Sequence, residues 1–284
     1  MPEQQINVLS PAKLNLFLHV LGRRPDGYHN LQTLFQLLDF GDEMTFSNNE
    51  SGIIGLSIQN NIGAPLPMDS NLVVKAAKRL RTIANRPNLG AHITLTKNIP
   101  QGAGLGGGSS NAASTLTALN TLWDLNLSTA KLCEIGITLG ADVPVFLNGK
   151  TAWGEGIGEK LEAIELKQRW YLVVTPPCQV STKEIFCHQQ LTRNSPAIKM
   201  SDFLAGRSHN DCEAITSELY PEVAKTLVLL RKFSESKMTG TGSSLFVEFK
   251  SEVEAMATLA KLPKSLQVFV AKGINSLDEK PFGD

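Results

Sequence analysis

Apolar residues recur along the chain at two different periods. Over residues 6–20 they alternate loosely, with Leu14, Leu16 and Leu18 two apart, and residues 31–47 read the same way, so both stretches predict strands. Between them, Gly22-Arg-Arg-Pro-Asp-Gly27 is rich in turn formers. From residue 72 the spacing becomes helical. Leu72, Val73, Ala76, Ala77, Leu80, Ile83 and Ala84 form one apolar face behind an Asp69-Ser-Asn71 cap, and Lys75, Lys78, Arg79 and Arg81 fall on the solvated side. Residues 91–97 return to alternation: Ala91, Ile93 and Leu95 share a face that Lys97 continues. A helix from Asn111 should bury Ala112, Ala113, Leu116, Leu119 and Trp123. Strands are expected again at 170–175, 244–249 and 267–271, and helices at 184–190, 210–219, 222–233 and 252–262. Strands mixed with helices, without a strict βαβ rhythm, predict an α+β fold.

Composition narrows the function classes. At 284 residues the chain suffices for one large domain or two ordinary ones, and an apolar fraction of 42% supports a true core. Lys and Arg number 27 and Asp and Glu 27, so nothing in the charge points to nucleic acid or an anionic membrane as partner. No apolar run approaches the roughly 20 residues that span a bilayer. The polar, acidic start, Met-Pro-Glu-Gln-Gln, does not read as a signal peptide. The four cysteines lack paired metal-ligand spacing and fit a reduced cytoplasmic setting. A glycine-rich stretch from Gly149 to Gly158 is the expected hinge, dividing an N-terminal domain, 1–155, from a C-terminal one, 156–284. The segment from Gly52 to Met68 reads as irregular, either a lid or a surface connection.

The strongest chemical signal is a loop with five glycines in seven residues. It runs through Pro100, Gln101, Gly102, Ala103, Gly104, Leu105, Gly106, Gly107, Gly108, Ser109 and Ser110, after a strand and before a helix. Glycines let backbone N–H groups crowd a ligand, and a helix start adds unpaired amides and a positive dipole end. That combination suits nucleotide phosphates. The loop lacks the Gly-Lys-Ser/Thr ending of a Walker A motif, and the chain lacks the His-Arg-Asp and Asp-Phe-Gly signatures of protein kinases. A dinucleotide fold wants an acidic residue ending a second strand, whereas Asp124 falls at the end of the helix. The serines after the glycines are expected to cap the helix.

Three further places carry potential chemistry. Asp142, between Gly140 and Pro144, is either a general base fixed on a sharp turn or a turn residue satisfying its own backbone. Lys13 interrupts an apolar strand, and pattern alone favours an exposed lysine over one recruited to a cleft. Thr239-Gly-Thr-Gly-Ser-Ser244 is a second Gly/Ser loop running into a strand.

Pro11-Ala-Lys-Leu-Asn15, the loop at 100–110 and Thr239-Gly-Thr-Gly-Ser-Ser244 occur in the order found in the GHMP kinase superfamily, which the chain resembles over nearly its whole length. Ser10-Pro-Ala-Lys-Leu-Asn-Leu-Phe-Leu18, Asp26-Gly-Tyr-His29, Leu139-Gly-Ala-Asp-Val-Pro-Val-Phe146 and Asn210-Asp-Cys-Glu213 resemble the branch acting on 4-diphosphocytidyl-2-C-methyl-D-erythritol. The resemblance implies a ribosomal-protein-like N-terminal domain, a ferredoxin-like C-terminal domain and an active site between them. It implies transfer of the γ-phosphate of ATP to the substrate's 2-hydroxyl, a step in non-mevalonate isoprenoid biosynthesis. Asp142 then matches the catalytic base and Lys13 its electrostatic partner. Asn15 matches a methylerythritol position, Tyr28 and Phe186 an aromatic pair around cytosine, His29 the reader of the base edge, and Lys97 and Thr182 positions near the diphosphate. Mg²⁺ is expected with ATP, and Ser109 and Ser110 are its candidate contacts, because the helix from Asn111 to Asp124 has no counterpart of the glutamate found in mevalonate kinase. The expected partners are these two small molecules, with no nucleic acid or membrane, and the expected assembly is a monomer or weak homodimer. Two other readings stay open here: a different GHMP kinase, such as homoserine or mevalonate kinase, and a non-catalytic nucleotide sensor.

Overall fold

The alternating stretches near the N-terminus form two long strands, β1 (Gln5–Arg23) and β2 (His29–Asn49), joined by the expected turn. The computed structural model describes residues 5–60 and 68–279. The polar start lies largely outside these residues. So does 61–67 of the segment read as irregular, although its earlier part is a strand, β3 (Ile54–Gln59). The chain forms two compact units that interleave along the sequence. The first takes its described residues from 1–12, 40–101 and 106–149, and the second from 13–39, 102–105 and 150–284.

In the first unit β4 (Gly90–Thr96) pairs antiparallel with the end of β2, from Glu43 opposite Thr96 to Asn49 opposite Gly90, and parallel with β3. Helices α1 (Leu72–Ala84) and α2 (Gly107–Leu122) supply the rest of its core. Ala91, Ile93 and Leu95 are buried as the alternation requires, with Val73, Val74, Ala76, Ala77 and Leu80 of α1 and Ala112, Ala113, Leu116, Leu119 and Trp123 on or just after α2. Full burial of each large apolar side chain contributes about 1.5–3 kcal/mol. Asn71 caps α1 by accepting from the Val73 amide at 2.9 Å. Two expectations on α1 need correction. Ile83 is 38% exposed, at the last turn of the helix. Arg81 is not on the solvated side, since its long stem carries the guanidinium back to the carbonyls of Gly52 and Leu89. Two short helices, α3 (Thr129–Ile137) and α4 (Val143–Asn148), complete the unit, and α3 carries too little period to stand out in the sequence.

In the second unit the first half of β2 pairs with β5 (Ala152–Gly156), and β5 with β6 (Lys160–Ala163), both antiparallel. The stretch expected to be a hinge is therefore a β-hairpin. Gly154 is needed there because a Cβ would lie 2.6 Å from the Phe35 ring, which crosses the strand. β2 meets β10 (Gln267–Ile274) at Leu37 and Leu38, and the order continues through β7 (Trp170–Thr175) and β9 (Leu245–Phe249) to β8 (Ser236–Met238). Helices α5 (Thr182–Cys187), α7 (Glu213–Leu219), α8 (Pro221–Leu230) and α9 (Glu252–Leu259) are shorter than expected, and α6 (Met200–Leu204) is a short helix that the pattern did not predict. Asn210 lies in a turn before α7, its side chain accepting from the Cys212 amide, so it is not helical as expected. One core joins Leu18 and Val20 to Leu172, Val174, Ile185, Ile215, Val223, Leu227, Leu245 and Val247. No helix among the described residues is long and apolar enough to cross a membrane.

Candidate active site

The glycine loop begins with three left-handed residues at alternate positions, Gly102 (φ 64°), Gly104 (φ 77°) and Gly106 (φ 73°). Helix α2 starts earlier than expected, at Gly107, so Gly107, Gly108, Ser109 and Ser110 are its first turn. The serines do not cap it. Gly106 is the N-cap and no side chain bonds there, which leaves the first amides of a 16-residue helix to a ligand or solvent. Ser110 is instead buried, its hydroxyl 2.9 Å from that of Ser10. Pro100 is buried, Gln101 half-buried and Gly102 exposed, with open space where a side chain would stand.

Beside that helix start lie two charged residues of the same unit. A Cβ on Gly140 would sit 3.4 Å from the Ser109 hydroxyl, so the turn leading to Asp142 lies against the first turn of α2. Asp142 occupies the N-cap position of α4, and its side chain makes no capping hydrogen bond to that helix. Lys97 is buried and paired with the carboxylate of Asp42. Asp42 also accepts from the amides of Asn98 and Ile99, both at 2.8 Å, and from the Asn111 side chain at 2.9 Å. A Cβ on Gly107 would lie 3.4 Å from Lys97 Nζ, so this ammonium also borders the start of α2.

In the second unit Lys13 is buried at 3% exposure, which overturns the exposed reading. Its ammonium donates to Asn15 Oδ1 at 2.5 Å and to the Gly104 carbonyl at 2.9 Å, and it lies 5.7 Å from the centroid of the Phe35 ring. Such a charge is tolerated because oxygens and a π face replace water. Asn15 is held in turn: its side chain donates to Thr33 Oγ1 and its amide to Thr239 Oγ1, both at 2.8 Å. The second Gly/Ser loop therefore packs against Asn15 and the start of the glycine loop. Ser244 N donates to the Ala103 carbonyl at 3.1 Å, and a Cβ on Gly104 would lie 2.4 Å from the Thr239 carbonyl oxygen, so only glycine fits there. Leu105 is buried and accepts from the Lys13 amide at 3.0 Å. Asn210 supports the same loop, donating to the carbonyls of Met238 and Gly240, both at 2.8 Å. Thr182 Oγ1 lies 3.1 Å from Thr241 Oγ1.

A separate group in the second unit gathers the residues expected at a base. Tyr28 is 59% exposed at the β1–β2 turn, and His29 beside it is buried. The His29 and Phe186 rings stack with centroids 5.3 Å apart and planes at 25°. Arg193, which sequence reasoning passed over, donates to His29 Nε2 at 3.1 Å and to the carbonyls of Phe186 and His188. Lone arginines in a loop carry no pattern that singles them out. Asp42 did offer a signal, as an acid between apolar stretches of a strand.

Burial, more than nearby charge, lowers the pKa of both His29 and His19 from the ordinary 6.5. His19 sits with Nδ1 3.3 Å from the Pro196 carbonyl and Nε2 accepting from the His209 amide. Below the ordinary value the unfolded chain binds protons at these sites that the folded chain does not. Stability therefore falls with acidification through that range. Urea midpoints at about pH 7.5 and about pH 5.5 should show this drop, and His19→Gln should shrink it. An unchanged difference would remove His19 as a source.

Residues 71–150 match the family model of the GHMP kinases N terminal domain, and residues 196–267 that of the GHMP kinases C terminal. The chain belongs to the GHMP kinases. It is 52% identical over 266 residues to the 4-diphosphocytidyl-2-C-methyl-D-erythritol kinase of Vibrio cholerae, covering 94% of this chain and 90% of that one. A crystal structure of 4-(cytidine 5'-diphospho)-2C-methyl-D-erythritol kinase superposes with a TM-score of 0.80 at 31% identity, covering 94% of this chain and 99% of that one. Within the GHMP kinases the chain is a member of this kinase family. A mevalonate kinase structure superposes with a TM-score of 0.68 at 16% identity, over 96% of this chain and all (100%) of that one, which reflects the common fold.

Proposed function

We propose that this chain transfers the γ-phosphate of ATP to the 2-hydroxyl of 4-diphosphocytidyl-2-C-methyl-D-erythritol, in the non-mevalonate route to isoprenoids. The observation that carries the reading is 52% identity across 94% of the chain to a kinase named for that substrate. Asp142 takes the hydroxyl proton as the substrate oxygen bonds to phosphorus and the bond to the β-phosphate oxygen breaks, releasing ADP. Lys13 offsets negative charge on the transferring group, and its contacts with Asn15 and Gly104 hold it in one place. The loop from Pro100 to Ser110 binds the ATP phosphates with its amides. Phosphoryl transfer has a loose transition state, so alignment and electrostatics of this kind supply most of the acceleration.

Mg²⁺ bound to ATP neutralises phosphate charge. Of the two serines, Ser109 suits a contact with it directly or through water, since the Ser110 hydroxyl is committed to Ser10. Asn15 borders the methylerythritol group, Lys97 and Thr182 serve the diphosphate, and Tyr28 and Phe186 hold cytosine between them while His29 reads its edge. The protein works in the cytoplasm as a monomer or weak homodimer.

The direct test follows ADP release with Mg-ATP and each of the cytidyl substrate, homoserine and mevalonate. Release with the cytidyl substrate is expected; release with another acceptor alone, or with none, refutes the assignment. Tyr28→Ala should raise KM for the cytidyl substrate by the roughly 1–3 kcal/mol of one stacked face, about 5- to 150-fold, and leave KM for ATP near its original value. Equal rises in both would remove the stacking role.

A further inference from the structure

One arginine holds both halves of the stacked His29–Phe186 pair, and its chemistry fixes the position of a proton. A guanidinium has five N–H donors and no acceptor, so across the 3.1 Å contact between Arg193 Nε and His29 Nε2 the imidazole must accept. The neutral ring then carries its proton on Nδ1. Protonating Nε2 as well would set two N–H groups against each other. The lowered His29 pKa, caused by burial first and Arg193 next, agrees with a neutral ring. The other guanidinium nitrogens donate to the carbonyls of Leu191 at 3.2 Å, Phe186 at 2.9 Å and His188 at 2.7 Å, which fixes the chain carrying the stacked phenyl ring. His29 Nδ1 makes no hydrogen bond among the described residues.

We propose that Arg193 is a positioning residue for cytosine, holding His29 as the Nδ1–H tautomer so that the ring presents a single donor to the acceptor edge of the base. The proposal rests on the functional reading above, because it takes a cytidyl group as the ligand. Cytosine offers acceptors at O2 and N3, whereas uracil carries hydrogen on N3. A fixed donor suits the first and opposes the second at that atom. Without Arg193 the ring is free to adopt the other tautomer, whose bare Nδ1 lone pair repels cytosine N3. Arg193 thereby contributes to selecting cytidine over uridine without touching the base.

Two measurements test this. Nitrogen NMR of histidine-labelled, substrate-free protein reads which ring nitrogen is protonated, with His29→Asn identifying the His29 signals among the five histidines. The wild type should show a protonated Nδ1 and a bare Nε2, and Arg193→Ala a mixture. In kinetics, Arg193→Ala should raise KM for the cytidyl substrate about tenfold, the scale of one lost hydrogen bond, with a smaller change in kcat and in KM for ATP. Preference over the uridyl analogue should fall by a similar factor, and Arg193→Lys, which keeps one donor, should restore part of it. A proton on Nε2 in the wild type overturns the proposal, as does an Arg193→Ala variant with unchanged cytidine preference or with both KM values raised equally. If the wild type itself does not phosphorylate the cytidyl substrate, the functional reading has failed, and the nitrogen spectrum still decides whether Arg193 sets the tautomer.

Discussion

Asp142→Asn is expected to lower kcat by a factor on the order of 10² to 10⁴, the range for one acid–base participant. The amide keeps the size of the carboxylate and cannot accept the hydroxyl proton. Asp142 makes no capping hydrogen bond to α4, so the substitution removes no helix cap. The first amides of α2 are untouched, and nucleotide affinity should stay close to that of the wild type. A coupled assay of ADP release together with a nucleotide titration separates the two quantities. Turnover near the wild-type rate would end the assignment of Asp142 as base. Weakened nucleotide binding of the same size as the rate loss would instead indicate damage to the helix start.

The second large effect concerns stability. Lys97→Met leaves the fully buried carboxylate of Asp42 without its cation, although the two backbone amides and Asn111 still bond to it. Removing one partner of a buried ion pair typically costs about 3–5 kcal/mol. A lysine that served only a ligand from the surface would change stability by about 0.5 kcal/mol or less. Urea unfolding of the ligand-free protein distinguishes the two, and an unshifted midpoint would show that the pair does not support the first unit. The result also bears on the expected diphosphate role of Lys97, because kinetic defects in this variant are interpretable only where the protein is folded.

What the sequence disclosed, and what it hid, follows from how far each feature reaches along the chain. Periodicity placed β1, β2, β4, α1 and the buried face of α2, because a strand or helix face is a local pattern. The glycine loop was legible because left-handed backbone demands glycine, as at Gly104. Its junction with α2 was misjudged: glycines are poor helix formers, so the helix was expected to begin after them, yet it starts at Gly107. Lys13 looked exposed because the oxygens that receive it, Asn15 Oδ1 and the Gly104 carbonyl, include one 91 residues away. Arg193 was invisible for the same reason, since His29 lies 164 residues before it. The strand β5 within the stretch from Gly149 to Gly158 was hidden because a glycine that admits the Phe35 ring, Gly154, resembles a glycine that confers flexibility.

The interleaving of the two units has a consequence for synthesis on the ribosome. The second unit draws on residues 13–39, which emerge early, and on 150–284, which emerge last. The early strands thus wait for β5 until more than half of the polypeptide has been made, and for β10 until nearly all of it has. A gene cut near codon 150 would release one fragment carrying orphaned strands and another lacking their partners, so neither should become a self-sufficient folded product.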